Sequence, residues 1–178
     1  VAAASSMLNV PASCRVLSFV PLFHILGFAY GFMVPLRAGG QTFVLTGQSP
    51  AAMRQALLAF RPHLVVATAV HYRFLNSALT PADSLPEATY ISSGAPLLAK
   101  DRDEFTAKTG RSIVELFGST ETAGIAWRRG DEPWTPYPGV KFKIESASLW
   151  VQSPWAHPED EDAWVQTHDA AEPQEAGF

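Results

Sequence analysis

Short apolar runs alternate with helical stretches through the first two thirds of the sequence, and this alternation limits the fold more than any other feature. Residues 16–20, Val-Leu-Ser-Phe-Val, read as a buried strand stopped by Pro21, and residues 22–36 as an apolar helix ending near Pro35 and the Gly39-Gly40 turn. Residues 42–45 form the next strand. Ser49-Pro50 has the form of a helix cap followed by proline, and the helix 51–60 places Met53, Ala56, Leu57 and Phe60 on one face before Pro62 stops it. The cycle continues with a strand at 64–68, a helix at 70–79, a strand at 88–92, a helix at 99–109 closed by Gly110, and a strand at 113–117. Such alternation is the signature of a parallel sheet with helices on its faces. Ligands in such sheets bind beyond the carboxyl ends of the strands, where loops 92–96 and 118–124 are both rich in glycine and hydroxyls.

After Gly124 the composition shifts to tryptophan and proline, with no convincing helix. Residues 140–144, 148–152 and 163–167 read as strands, and the acidic Glu159-Asp160-Glu161-Asp162 as a solvated hairpin tip. The predicted class is α/β: a layered parallel-sheet subdomain over residues 1–125, then a small β-barrel-like subdomain over 126–178.

The charge balance excludes several partners. A net charge of -4 and a pI near 5.7 provide no basic field for nucleic acid. Cys14 is the single cysteine, so there is no internal disulfide framework and no cysteine metal site, which fits a reducing, cytoplasmic setting. Residues 17–36 carry no Asp, Glu, Lys or Arg and are long enough to raise a membrane helix. Pro21, Pro35 and His24 within or bounding that run favour a buried helix instead. Residues 1–6 show no initiator Met and no basic signal region, as expected of a stretch inside a longer protein.

The chemistry concentrates in Glu115-Leu116-Phe117-Gly118-Ser119-Thr120-Glu121-Thr122-Ala123-Gly124. Gly118 and Gly124 are expected to permit unusual backbone angles. Ser119, Thr120 and Thr122 offer hydroxyls to phosphate oxygens, Glu121 is a hard oxygen ligand of the kind magnesium prefers, and Phe117 has a flat face for a base. A strand running into a polar turn is the plain alternative. The compact signatures of P-loop, dinucleotide-binding, α/β-hydrolase and zinc-protease sites are absent. Taken singly, His24 reads as a hydrogen-bonded core residue rather than a catalyst, and Asp169 as a turn former rather than a ribose ligand.

The order of the pieces adds more. Pro21-Leu22-Phe23-His24-Ile25-Leu26-Gly27, Ser92-Ser93-Gly94-Ala95-Pro96-Leu97, Phe117-Gly118-Ser119-Thr120-Glu121, Pro138-Gly139-Val140 and Trp164-Val165-Gln166-Thr167-His168-Asp169 closely resemble successive motifs of the adenylate-forming acyl-CoA synthetases. That superfamily includes firefly luciferase and the adenylation domains of peptide synthetases. The resemblance implies that Gly94, Ala95 and Pro96 form one wall against adenine while Phe117, in place of the usual tyrosine, covers the other face. It further implies that Gly118 and Ser119 belong to the nucleotide site, Thr120 bonds the α-phosphate, Glu121 holds Mg²⁺, Asp169 accepts from the ribose hydroxyls, and His24 with Gly118 borders the carboxylate pocket. Thr120, Glu121 and His24 would be the catalytic set. The implied activity is that of an ATP-dependent ligase joining a carboxylic acid, such as a fatty acid, to the thiol of coenzyme A or of a carrier protein's phosphopantetheine. A non-catalytic nucleotide-binding or scaffold module of the same fold is the alternative.

Besides Phe117, the sequence departs from the family pattern in two further places. His168 replaces the glycine of Thr-Gly-Asp, where a side chain would alter the turn that aims Asp169, and Cys14 precedes Arg15 where aspartate is common. The family's phosphate loop and its mobile C-terminal catalytic domain are expected outside this chain, so the 178 residues alone should be a poor catalyst.

Overall fold

The computed structural model describes residues 8–155, 164–172 and 178. The chain divides into two compact units, Val1–Glu115 and Leu116–Phe178. The acidic stretch 159–162 lies outside the described residues.

In the first unit, β1 (Arg15–Ser18), β2 (Gln41–Val44), β3 (Leu64–Ala67), β4 (Thr89–Ser92) and the start of β5 (Ile113–Ser119) form a parallel ladder in the order β2-β1-β3-β4-β5. Helices α3 (Pro50–Phe60), α4 (Ala69–Ala78) and α5 (Ala99–Thr109) connect the strands beyond β2. All of Leu64–Ala67 is buried, as a parallel strand covered on both faces requires, whereas β2 at the edge is largely exposed. Leu17, Val65, Tyr90 and Ile113 stand in register across four strands and join Met53, Leu57, Tyr72, Leu75 and Phe105 in one buried cluster. Phe105 meets Tyr72 and Tyr90 edge-on, with centroids at 5.2 and 5.3 Å.

The ends of α3 follow the sequence. Ser49 accepts the Ala52 N–H (3.3 Å), Pro50 takes the first position, and the chain leaves through Arg61 at φ 47°. Arg15 caps the far end, donating to the carbonyls of Phe60 (3.2 Å) and Arg61 (2.7 Å).

The first helical stretch ends at Ala38 with Gly39 as its cap, as the Gly39-Gly40 turn predicts, but it is not the buried helix expected. Helix α1 (Gly27–Met33) is of π type, with the Val34 N–H reaching back to the Ala29 carbonyl, and it runs directly into α2 (Val34–Ala38) with Pro35 in the first turn. Proline denies an N–H to the carbonyl four residues earlier, which is that of Gly31. The Thr42 hydroxyl on β2 donates to that carbonyl instead (2.5 Å). Gly27, Tyr30, Gly31, Val34 and Pro35 face inward, while Phe23, Ile25, Phe28, Phe32 and Leu36 are exposed. No helix among the described residues is long and apolar enough to cross a membrane.

One ion pair in this unit should govern its acid stability. Arg54 donates through Nε to Asp83 Oδ2 (2.8 Å) and through Nη2 to Oδ1, and the Thr80 N–H also donates to Asp83 (2.8 Å). Arg54 first, then Thr80, holds the Asp83 carboxyl down to about 2. An unfolded-state aspartate titrates near 3.9, so the depressed folded value contributes stability above that pH, which is lost as pH falls through about 2. Arg54 is partly exposed, so solvent screening limits the effect. We expect Asp83→Asn to lower stability by about 1 kcal/mol at neutral pH and by much less near pH 2. Urea midpoints at the two pH values test this, and an equal loss at both would contradict it.

In the second unit, β5 continues to Ser119 and is followed by β6 (Ala123–Arg129) and β7 (Thr135–Pro136), with Ala126 opposite Pro136. A separate antiparallel sheet has the order β10-β9-β8, from β8 (Lys141–Glu145), β9 (Ser148–Gln152) and β10 (Val165–Ala170). Its β8–β9 turn places Ser146 and Ala147 at φ 52° and 60°, values that Asn-Gly accepts more readily. The Lys143 ammonium lies over the rings of Trp150 (5.5 Å) and Trp164 (4.7 Å).

Candidate active site

The turn between β5 and β6 is tighter than the sequence suggests. Phe117, Gly118 and Ser119 are the last residues of β5, and Ala123 and Gly124 already belong to β6, leaving residues 120–122 to reverse the chain. A connection this short joins antiparallel neighbours. The two glycines do not serve backbone angle here. A Cβ on Gly118 would lie 2.1 Å from the Ala123 carbonyl oxygen, and one on Gly124 would lie 2.9 Å from the Tyr137 ring. Their role is close packing; the positive φ falls at Ala123, at 56°.

Hydrogen bonds within the turn decide which hydroxyls are free. Ser119 N–H donates to Thr122 Oγ1 (3.3 Å), Thr122 N–H donates to Ser119 Oγ (3.2 Å), and the two hydroxyls are 3.0 Å apart. Thr122 is buried, and its carbonyl accepts from the Ser153 hydroxyl (3.0 Å). The Thr122 hydroxyl is therefore spent on the turn rather than offered to a ligand, which corrects the sequence expectation. Thr120 and Glu121 stand exposed at the tip, and the Thr120 hydroxyl takes no partner among the described residues. A hydrogen bond from the Ser119 hydroxyl, then the Glu121 backbone N–H, holds the Glu121 carboxyl below its ordinary range. Ser153 is the member that sequence reasoning missed, because nothing local marks a residue so distant in the chain as a brace for this turn.

Phe117 is half-buried, with its ring centroid 5.6 Å from Trp134 and 6.1 Å from Phe178. The Arg128 guanidinium lies 4.4 Å over the Trp134 ring. Asp169 is exposed on β10, and its N–H donates to Thr167 Oγ1 (3.2 Å), while the Thr167 hydroxyl donates to the Leu149 carbonyl (3.2 Å). No described hydrogen bond or ion pair joins Asp169 to the 118–122 turn. His168 sits in the left-handed region at φ 63°, inside an irregularity of the β9–β10 register between Gln166 and Ala170. The backbone keeps the turn that glycine would make, with a side chain added. Left-handed backbone costs a non-glycine residue about 1 kcal/mol, so His168→Gly should raise stability by up to that amount. A lower urea midpoint in the variant would show that the imidazole contributes packing worth more than the strain.

In the first unit, Gly94 has φ 83° with open space where a Cβ would point, and Gly94, Ala95 and Pro96 are exposed between β4 and α5, anchored by buried Leu97. His24 is also exposed. Its ring lies 4.7 Å from Phe23, its N–H donates to the Pro21 carbonyl (3.2 Å), and its carbonyl accepts from Phe28 (2.7 Å).

Glu121 offers one exposed carboxylate, a hard oxygen ligand of the kind magnesium takes. No group of three metal-ligating side chains occurs among the described residues, and magnesium is commonly held by one or two carboxylates together with substrate phosphates and water. A lone exposed carboxylate beside a free hydroxyl fits that pattern.

This parallel sheet and its hydroxyl-and-carboxylate turn belong to a known class. The chain is a member of the AMP-binding enzyme family, whose profile matches residues 1–153. The 4-coumarate–CoA ligase of Cereibacter sphaeroides is 35% identical over 134 residues, covering 73% of this chain and 31% of that protein. The 4-coumarate–CoA ligase of Halorhodospira halophila is 30% identical over 126 residues, covering 68% of this chain and 28% of that protein. The chain thus spans less than a third of the length of these relatives. Among solved structures, apo MatB from Rhodopseudomonas palustris superposes with a TM-score of 0.77 at 21% identity, over 93% of this chain and 39% of that one. A malonyl-CoA ligase ternary product complex with methylmalonyl-CoA and AMP bound gives a TM-score of 0.74 at 25% identity, over 93% of this chain and 43% of that one.

Proposed function

We propose that the complete protein is an ATP-dependent acid–thiol ligase. It activates a carboxylic acid as an acyl adenylate and then passes the acyl group to a thiol. The observation that carries this reading is the 119–122 turn, in which the Ser119–Thr122 pair is locked and Thr120 and Glu121 are left exposed at the tip. In the first step a carboxylate oxygen attacks the α-phosphorus and pyrophosphate leaves; in the second, a thiol sulfur attacks the acyl carbon, loses its proton and displaces AMP. Thr120 donates to an α-phosphate oxygen. Glu121 holds Mg²⁺, which neutralises phosphate charge when bound. Phe117 stacks on adenine, Gly118 and Ser119 shape the turn, Gly94, Ala95 and Pro96 flank the base, Asp169 accepts from the ribose hydroxyls, and His24 borders the acyl carboxylate. These residues position and stabilise charge; none forms a covalent bond.

Coenzyme A is the thiol we favour, with carrier-protein phosphopantetheine as the other member of the class. The relatives named for 4-coumarate make an aryl acid the first substrate to try. A buried, unpaired Cys14 thiol suits the reducing cytoplasm. The test is ATP-dependent hydroxamate formation by the complete protein, with hydroxylamine trapping the adenylate. ATP binding without hydroxamate from any acid would favour a non-catalytic nucleotide-binding module instead.

A further inference from the structure

The strand order of the first unit reverses once. From β1 the chain passes to β2 on one side, then returns across β1 to β3 and continues to β4 and β5. In open parallel sheets the ligand crevice opens at the carboxyl ends of the strands flanking such a reversal. Those strands are β1 and β3, and the residues just beyond their ends are Phe19 and Thr68. Phe19 extends the ladder by donating its N–H to the Val66 carbonyl (2.9 Å), and its ring stacks on His71 in the first turn of α4 (5.8 Å between centroids, 25° between planes).

The His71 ring is fixed in one chemical state. Nδ1 accepts the Thr68 backbone N–H (3.1 Å), with the Thr68 hydroxyl 2.8 Å away. A ring nitrogen that accepts an N–H carries no proton, so the neutral imidazole holds its hydrogen on Nε2. Partial burial favours the same state by pushing the imidazole below its ordinary range. Nε2 takes no partner among the described residues, and it is not among the buried unpaired atoms, so it remains reachable. Capping of α4 uses only Nδ1. The N–H on the other side of the ring is unused by the fold, and the ring itself is backed by the buried Phe19 at the ligand-binding edge.

We propose that His71 is a specificity-determining residue whose Nε2–H donates to an oxygen at the far end of the acyl substrate, a hydroxyl or carbonyl remote from the reacting carboxylate. This assignment rests on the ligase reading above. The complete protein is assayed for adenylate formation with 4-hydroxycinnamic acid and with cinnamic acid, which differ only by the distal hydroxyl. Wild type prefers the hydroxylated acid. His71→Asn retains an acceptor for the Thr68 N–H and lacks the distal donor; its preference, as a ratio of kcat/KM values, falls about ten-fold, the worth of one hydrogen bond. His71→Gln carries an amide donor near the Nε2 position and recovers most of the preference. An Asn variant with the wild-type ratio, or a wild type with no preference, overturns the assignment while leaving the ligase reading intact. Absence of adenylate from both acids also overturns the assignment, and its absence from every carboxylic acid tried overturns the ligase reading beneath it.

Discussion

Gly118→Ala should destabilise the protein by about 3 kcal/mol, far more than an alanine at most glycines, because the added methyl would meet a backbone atom. The Cβ would stand 2.1 Å from the Ala123 carbonyl oxygen, well inside contact distance, and a carbonyl held by the strand has no rotamer to escape into. Relief requires β5 and β6 to separate at the point where the Ser119–Thr122 bonds close the turn, so those bonds are lost with it. Gly94→Ala is the control. Its Cβ would meet nothing within 4 Å, but φ is 83°, so only backbone strain of about 1 kcal/mol is incurred. Urea midpoints of the two variants separate the mechanisms. Equal losses would show that backbone angle, not space, is what glycine provides at position 118.

That contrast also marks the limit of sequence reading here. The parallel sheet was legible because β3 and β4 are short apolar runs bounded by proline and turn residues, and because α3 opens with Ser49-Pro50. Strand β6 was not legible. It begins Ala-Gly, two weak strand formers, and shows no clean alternation, so its neighbours rather than its opening residues mark it as a strand. The helix that continues past Pro35 depends on Thr42, a residue beyond the helix whose hydroxyl covers the Gly31 carbonyl. In the turn itself the residue types were legible but their assignments were not: sequence offers three equivalent hydroxyls, and bonds with Ser119 withdraw that of Thr122, while Ser153 braces the Thr122 carbonyl and Thr120 is left free. His168 is the converse case, an apparent obstacle that the backbone accommodates at φ 63°.

The largest effect on activity is expected at Glu121. Glu121→Gln in the complete protein should reduce magnesium-dependent adenylate formation by roughly 10²–10³-fold, the usual loss when a group aimed at developing charge is removed. The side chain is exposed, so the substitution should leave the unfolding midpoint near that of wild type, separating loss of chemistry from loss of fold. The pH dependence follows from the Ser119 hydroxyl, which favours the ionised carboxylate and lowers its pKa. A depressed carboxyl loses its charge at lower pH than an ordinary glutamate, so any Glu121-linked acid limb of wild-type activity should lie below the ordinary glutamate range. Ser119→Ala removes the first cause of the shift and should move any Glu121-linked acid limb to higher pH, toward the ordinary glutamate range. Near-normal adenylate formation by Glu121→Gln across the pH range would remove this carboxylate from the metal site. An acid limb unmoved in Ser119→Ala would leave the Ser119 hydroxyl with a structural role alone.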